Sequence, residues 1–334
     1  MIKIEVTKEK RKEINDNHKA YIEQTSVLKL EERFKKIRTK KRELFKKLFG
    51  DTESKRKISI IDFCLSPNLE GMLKTFEDTF SDVYGFKFSD KSTDKQKRVI
   101  KNIGKELDYI LNYGGFNTGI KLKNGDKWNR HKFITAVGIK VCPYCNRQYI
   151  SSYEYGIDDS RTTADADHYY PKEQYPILQM NIFNLVPSCN VCNSRTKGKS
   201  DKRHLYPYED PSDSLSFQIP IEQGEQVSEI LIDTKRNKRS ENSMKVFKLD
   251  KIYQAHLEEA TEVKKNVKEY FEYGESVYEK LQGLDVPFDV FSTWFSFMGK
   301  DALKEPLTKL RQDIYLQMED KLKNGLYPAC WTRS

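Results

Sequence analysis

The 334-residue chain has no apolar run long enough to span a bilayer. Its first residues, Met1-Ile2-Lys3-Ile4-Glu5, lack the apolar h-region of a signal peptide. No membrane span or cleaved leader is therefore expected, and the expected location is the cytoplasm. Internal repeats, low-complexity tracts and obvious flexible linkers are all missing, so the flanks are expected to pack on the middle of the chain or on each other. Cysteines are few, six in all, and a reducing compartment does not favour a disulfide framework. Histidines are fewer still, five in the whole chain. Against these absences stand 37% hydrophobic and 33% charged residues, polar for a folded protein but far from a disordered composition. Aromatics, at 12%, supply material for a core. The formal net charge of +9 favours polyanionic partners and leaves the fold open.

Hydrophobic periodicity predicts a mostly helical N-terminal region, residues 1–128. Residues 26–49 read as one amphipathic helix with Leu30, Phe34, Ile37, Leu44 and Leu48 on its apolar face and Gly50 as its stop. The opposite face carries Lys35, Lys36, Arg38, Lys40, Lys41, Arg42, Lys46 and Lys47, read as a solvated face in preference to a phosphate-tracking stripe. The apolar run 57–64 is ambiguous. Helices are expected over 67–80 and 93–113, the second ended by Gly114-Gly115, then a polar turn at 121–128 and a short helix at 129–139. Residues 129–208 change character, with cysteines, prolines, asparagines and short strand-like runs. From 209 to 334 the pattern is again mainly helical, with short strands at 215–220 and 227–232 and helices at 251–281 and 301–322. The first of these helices carries Ile252, Leu257, Ala260, Val263, Val267 and Phe271 on one face.

Cys142-Pro143-Tyr144-Cys145 and Cys189-Asn190-Val191-Cys192 are two Cys-x-x-Cys knuckles. Each aims two thiolates at one ion from a tight turn, and together they complete a closed tetrahedral zinc site. Such a site supplies folding free energy on the order of 10 kcal/mol and leaves no open position for chemistry. Cys64 and Cys330 are left over and read as buried small side chains.

Between the knuckles runs Thr162-Thr163-Ala164-Asp165-Ala166-Asp167-His168-Tyr169-Tyr170-Pro171, a strand ending near Asp167 and a proline-marked loop. Asn184-Leu185-Val186-Pro187-Ser188 leads into the second knuckle, and a short helix from about 190 to 197, ended by Gly198, follows. Phosphodiester hydrolysis needs a base to activate water, a divalent ion to neutralise charge and a scaffold for both. His168 can accept a proton near neutral pH. Asp167 and Asn193 are hard oxygen donors suited to Mg²⁺, which the zinc staple would bring to one ion. An Asp–His pair alone is more often structural; the flanking knuckles and the spaced Asn184 and Asn193 reverse that reading.

The stretch 141–200 resembles an HNH, or ββα-metal, nuclease: Asp-His and a loop, then Asn-Leu, then Cys-x-x-Cys-Asn and Lys-Gly, in that order. The resemblance implies His168 as general base, Asp167 as metal ligand, Asn184 as the middle asparagine that ties the loop and orients the base, and Asn193 in place of the family's last histidine. The HNH domain of RNA-guided CRISPR nucleases resembles the same Asp-x-Asp-His pattern. An amide in place of an imidazole favours Mg²⁺ or Mn²⁺ over a catalytic zinc. The longer run 141–208 resembles HNH nucleases of bacterial anti-phage systems of the Septu type, which implies an ATPase partner. The expected fold class is α+β, with a central zinc-stapled ββα-metal module between mostly helical regions.

Arg195, Lys197, Lys199, Lys202 and Arg203 follow the catalytic helix closely enough to hold phosphates flanking the cut. Asp165, two residues before Asp167 and on the same strand face, supports the ion or is simply solvated. His204, Tyr169, Tyr170 and His131 are read as packing residues. DNA is the preferred substrate. RNA cut by the same chemistry, or a non-catalytic zinc module that binds nucleic acid or a partner protein, are the alternatives.

Overall fold

The computed structural model describes residues 1–154, 160–220, 224–281, 291 and 294–324; Cys330 lies outside them. The architecture is a helix-rich α+β mixture. Strands among the described residues form four separate antiparallel pairs rather than one sheet.

The N-terminal third is built from α1 (Lys8–Gln24), α2 (Ser26–Lys36), α3 (Thr39–Phe49), α4 (Glu53–Leu65), α5 (Leu69–Tyr84) and α6 (Asp94–Leu111). Their starts follow local chemistry. Side chains of Thr7, Thr52, Asn68 and Thr93 accept backbone N–H groups of the first turns, and Thr93 with Gln96 forms a reciprocal capping box. The ambiguous run 57–64 is the body of α4. The single helix expected over 26–49 is two: Ile37 is extended, with ψ 149°, and buried, and Thr39 has a positive φ of 55°. Arginine side chains serve the carbonyls freed by this break, Arg38 reaching Lys35 and Ile37 and Arg42 reaching Phe34. Periodicity survives the break because both helices bury the same apolar side. Likewise, α6 ends at Asn112 in the left-handed region, and Gly114 and Gly115 lie inside the short helix α7 (Tyr113–Thr118). Gly115 leaves room there for the Asn112 side-chain amide, whose nitrogen lies 2.1 Å from where a Cβ would stand.

Two short strands, β1 (Ile120–Lys121) and β2 (Lys127–Trp128), pair ahead of α8 (Arg130–Val137), which Asn129 caps, and β3 (Ser152–Glu154) then pairs antiparallel with β4 (Ser160–Thr162). Beyond the central segment, β7 (Ser216–Gln218) pairs with β8 (Leu231–Asp233). Here α9 (Lys238–Val246) and α10 (Leu249–Ile252) lead to α11 (Leu257–Leu281), which packs on α12 (Thr308–Lys323). The helix expected from residue 251 is interrupted by a 3₁₀ turn at Tyr253–His256, where Tyr253 stacks on Phe217 with centroids 4.0 Å apart. Ala260, Val263 and Val267 are buried as the pattern predicts, but Phe271 is exposed. The last helix begins at Thr308, not 301. Pro306 precedes it, and Leu307 takes a φ of +61°. Asn146, next to the first knuckle, fixes this C-terminal segment: its backbone and side-chain oxygens accept Leu307 N–H and Lys309 N–H.

One buried apolar cluster runs through helical and strand regions alike, from Ile4 and Phe45 to Leu185, Phe217 and Met318. Cys64 is buried within it. Among the described residues no helix is long and apolar enough to cross a membrane.

Candidate active site

Strand β5 (Asp165–His168) pairs antiparallel with β6 (Leu185–Ser188), Asp165 facing Ser188 and His168 facing Leu185. Directly after the second knuckle comes a helical segment, Val191–Lys197. It is wound as a π-helix, with Gly198 N–H donating to the Asn193 carbonyl five residues back. Gly198 closes it at a φ of +51°, a conformation that explains the glycine. Two strands and one helix thus converge where the sequence expects them.

The four thiols of Cys142, Cys145, Cys189 and Cys192 are buried and lie within 4.8 Å of one another. Tetrahedral zinc with bonds of about 2.3 Å holds its sulfurs about 3.8 Å apart. The Cys145 and Cys189 sulfurs stand 4.0 Å apart. The cluster fits a zinc ion in size, donor type and closure. The Tyr253 hydroxyl donates to the Cys145 carbonyl and so ties the first knuckle to the C-terminal layer.

Behind the strands, Asn184 is fully buried and satisfies the backbone of the preceding loop. Its oxygen accepts Tyr170 N–H at 2.8 Å, and its amide donates to the carbonyls of Tyr170 and Leu178 at 3.1 Å each. That loop carries the 3₁₀ turn Pro176–Leu178 and is fastened to the N-terminal helices. Asn181 donates to the carbonyls of Phe63 and Ser66 at the end of α4. His18 of α1 accepts from Trp128 at Nδ1 and therefore donates from Nε2 to the Met180 carbonyl. These anchors set the Gln179 carbonyl, which lies 3.0 Å from His168 Nε2.

A carbonyl can only accept, so His168 carries its proton on Nε2 and presents a lone pair on Nδ1. Nδ1 has no hydrogen-bond partner among the described residues. Burial holds the ring neutral, lowering its pKa from the ordinary 6.5 to about 3. Tyr113 packs edge-on against it, with centroids 4.4 Å apart.

Asp165 and Asp167 share a strand face, yet their surroundings differ. Asp167 is 2% exposed, and both its oxygens are engaged. Lys197 Nζ lies 2.8 Å from Oδ1 and 2.6 Å from the His168 carbonyl, while the Tyr144 hydroxyl donates to Oδ2 at 2.7 Å. Burial pushes the Asp167 carboxyl above its usual range, and Lys197 and Tyr144 pull against that rise. Asp165 instead accepts from the amides of Asn193, at 3.0 Å, and Asn190, at 3.1 Å, with the Arg130 guanidinium 3.8 Å away. The structure therefore pairs Asn193 with Asp165, whereas the sequence reading paired it with Asp167. A buried lysine, five residues past Cys192, takes up Asp167 instead.

A cavity of about 340 Å³ opens here, lined by Asp165, Asp167, His168, Asn193, Lys197 and Lys199 and closed on other sides by Tyr113, Arg130 and Lys172. Asn184 stands behind it. Of the five expected phosphate contacts, Lys197 is buried in its ion pair and Lys199 lies at the cavity. Arg195, Lys202 and Arg203 are exposed and do not line it, and Arg203 lies 3.9 Å over the Tyr170 ring. Tyr169, Tyr170 and His204 are buried in one aromatic cluster. Sequence reasoning missed Arg130, Tyr113 and Lys172 at the cavity, and His18, Gln179 and Asn181 in its supports. Local sequence carries no signal for them, because each acts across a tertiary contact.

Comparison with known proteins finds no matching family model and no matching solved structure. Over 62 residues the chain is 36% identical to Septu protein PtuB of Bacillus thuringiensis, a match covering 19% of this chain and 21% of that protein.

Proposed function

We propose that this protein is a metal-dependent HNH-type endonuclease that hydrolyses phosphodiester bonds of DNA, with His168 as general base. The observation that carries the proposal is the geometry of His168: its Nε2–H is committed to the Gln179 carbonyl, and its Nδ1, without a partner among the described residues, belongs to a ring that lines a cavity of oxygen donors and lysines. In this reading water attacks phosphorus, its proton passes to Nδ1, the bond to the 3′-oxygen breaks, and that oxygen takes a proton from solvent, giving a 5′-phosphate and a 3′-hydroxyl. Lys199, Lys172 and Arg130 line the cavity and would offset phosphate charge. Asn184 holds the backbone beyond the base, so that the ring stays where Gln179 fixes it.

The oxygen donors fit a hard divalent ion, which accepts few protein ligands and keeps several waters. Asn193 would hold it with Asp165, its partner at 3.0 Å, and Asp167 would join if Lys197 lets go. When bound, Mg²⁺ or Mn²⁺ would neutralise charge on the phosphate and the leaving oxygen. The likeness to a Septu protein supports a role in bacterial anti-phage defence.

The test is plasmid cleavage by the purified protein with Mg²⁺ or Mn²⁺. His168→Ala should lower the rate by about 10²–10⁴ with zinc content near parental, and the Gln179 carbonyl it frees should cost about 1–3 kcal/mol of stability. Parental cleavage by a folded His168→Ala protein would refute the assignment. Asp165→Ala and Asn193→Ala should raise the Mg²⁺ concentration needed for half-maximal cleavage without releasing zinc.

A further inference from the structure

Helix α6 presents Lys97, Lys101 and Lys105 at successive four-residue steps, each about 6 Å further along the axis. All three are exposed. They form one wall of a second depression of about 600 Å³, whose other wall is the loop of Lys172, Glu173, Pro176 and Gln179. Phe88 and Ile100 contribute to its lining. Lys172 and Glu173 also line the candidate active-site cavity, so the two depressions meet at these residues. Five lysines, Lys91, Lys97, Lys101, Lys105 and Lys172, line this groove against two carboxylates, Asp108 and Glu173.

Gly104 lies in the same lining, in the interior of α6 between Lys101 and Lys105. A glycine inside a helix costs about 1 kcal/mol relative to alanine. No packing constraint requires it: a Cβ added at Gly104 would meet nothing within 4 Å. The helix backbone is left bare at Gly104, between Lys101 and Lys105, for which no ion pair is found among the described residues, whereas Lys97 pairs with Asp94 at 3.3 Å.

We infer that this groove holds one strand of the DNA substrate, leading it along α6 to the candidate cleavage site, with Lys101 and Lys105 on its phosphates and its sugars and bases over Gly104. This rests on the nuclease reading for the identity of the ligand. Charge complementarity, continuity with the cavity around His168 and the bare glycine select the occupant. The span from Lys97 to Lys105 is about 12 Å, two steps of about 6 Å.

The test measures affinity for a fluorescein-labelled single-stranded DNA and for the same sequence as a duplex, across a salt series, in the His168→Ala background. Lys101→Gln with Lys105→Gln should make the slope of log affinity against log salt shallower by about 1.4 on the single strand, for two lost contacts. Gly104→Leu should fill the groove and weaken binding at least tenfold while leaving thermal stability equal to or above parental. An unchanged slope overturns the inference. So does a changed slope with Gly104→Leu binding at parental affinity, because the lysines would then touch DNA that does not lie in the groove. Cleavage by the parental protein, scored separately, tests the nuclease reading: absence of cutting with both binding effects intact would refute the chemistry and leave the groove.

Discussion

Lys197 and Asp167 are the sharpest point at which stability can be set against site chemistry. The lysine side chain is 1% exposed and the aspartate side chain 2%, and the charged groups lie 2.8 Å apart. Replacing Lys197 by Met keeps most of the volume of the stem but removes the ammonium. Asp167 then keeps only the Tyr144 hydroxyl, and the His168 carbonyl loses its donor at 2.6 Å. Breaking a buried pair from one side costs about 3–5 kcal/mol. At about 1.4 °C per kcal/mol for a chain of 334 residues, the melting temperature of the zinc-loaded protein should fall by roughly 4–7 °C. Asp167→Asn combined with Lys197→Met should recover part of this, since no lone charge remains, and the two substitutions should be coupled by about 0.5–3 kcal/mol. The pH dependence has a definite sign. Burial already raises the Asp167 carboxyl, and removing Lys197 removes the largest opposing influence. The folded variant then binds a proton that its unfolded chain does not, so its deficit relative to parent should shrink between pH 7 and pH 5. Thermal and urea unfolding of parent, single and double variants at both pH values would measure this. A Lys197→Met shift below about 2 °C is what an exposed ion pair would give, and it would refute the buried-pair argument.

Replacing Cys189 by Ser should remove zinc and lower thermal stability together, read by metal analysis and melting; a stable, zinc-free protein of parental activity would contradict the staple. Asn184→Ala would strand the Tyr170 N–H and carbonyl, at about 1–3 kcal/mol for each buried group left unpaired, while the Leu178 carbonyl keeps the Asn181 N–H, and it should lower cleavage with zinc retained. Burial lowers His18 to about 4 and both His168 and His204 to about 3. The unfolded chain therefore takes up protons first, and stability should fall as pH drops from about 6.5 toward 4, at up to roughly 1.4 kcal/mol per pH unit for each histidine. His204→Gln should flatten that slope by about a third in pH-dependent urea unfolding, and an unchanged slope would rule out the buried neutral ring.

The sequence made the local devices legible. Two equally spaced cysteine pairs carry their own geometry, and the Asp-x-Asp-His strand, the second strand and the short helix fall where alternation and Gly198 put them. Helix breaks were harder. The turn at Ile37–Arg38 leaves the apolar period intact on both sides, and the freed carbonyls are served by the long side chains of Arg38 and Arg42, not by a glycine or another residue type that marks a helix end. The partner of Asp167 was hidden for a different reason. A lysine in a basic run after a candidate metal ligand looks like a phosphate contact, and the burial of Lys197 follows from the π-helical winding, which no residue type announces. Gln179 was illegible because its backbone, not its side chain, fixes His168.

The anchoring of residues 176–184 by Asn181 and His18 has a consequence for dissection. The cysteine knuckles and the strand pair look like a portable cassette, but the wall that orients the imidazole is an abutment resting on helices more than 100 residues upstream. A fragment cut to 129–208 would carry its ion clasp away from its foundation. A transplantable unit would have to include α1 and the buried Ile2 and Ile4 before it, whose N–H groups donate to the carbonyls of Pro143 and Pro207, and grafting the cassette alone onto another scaffold would move the histidine without its bearing.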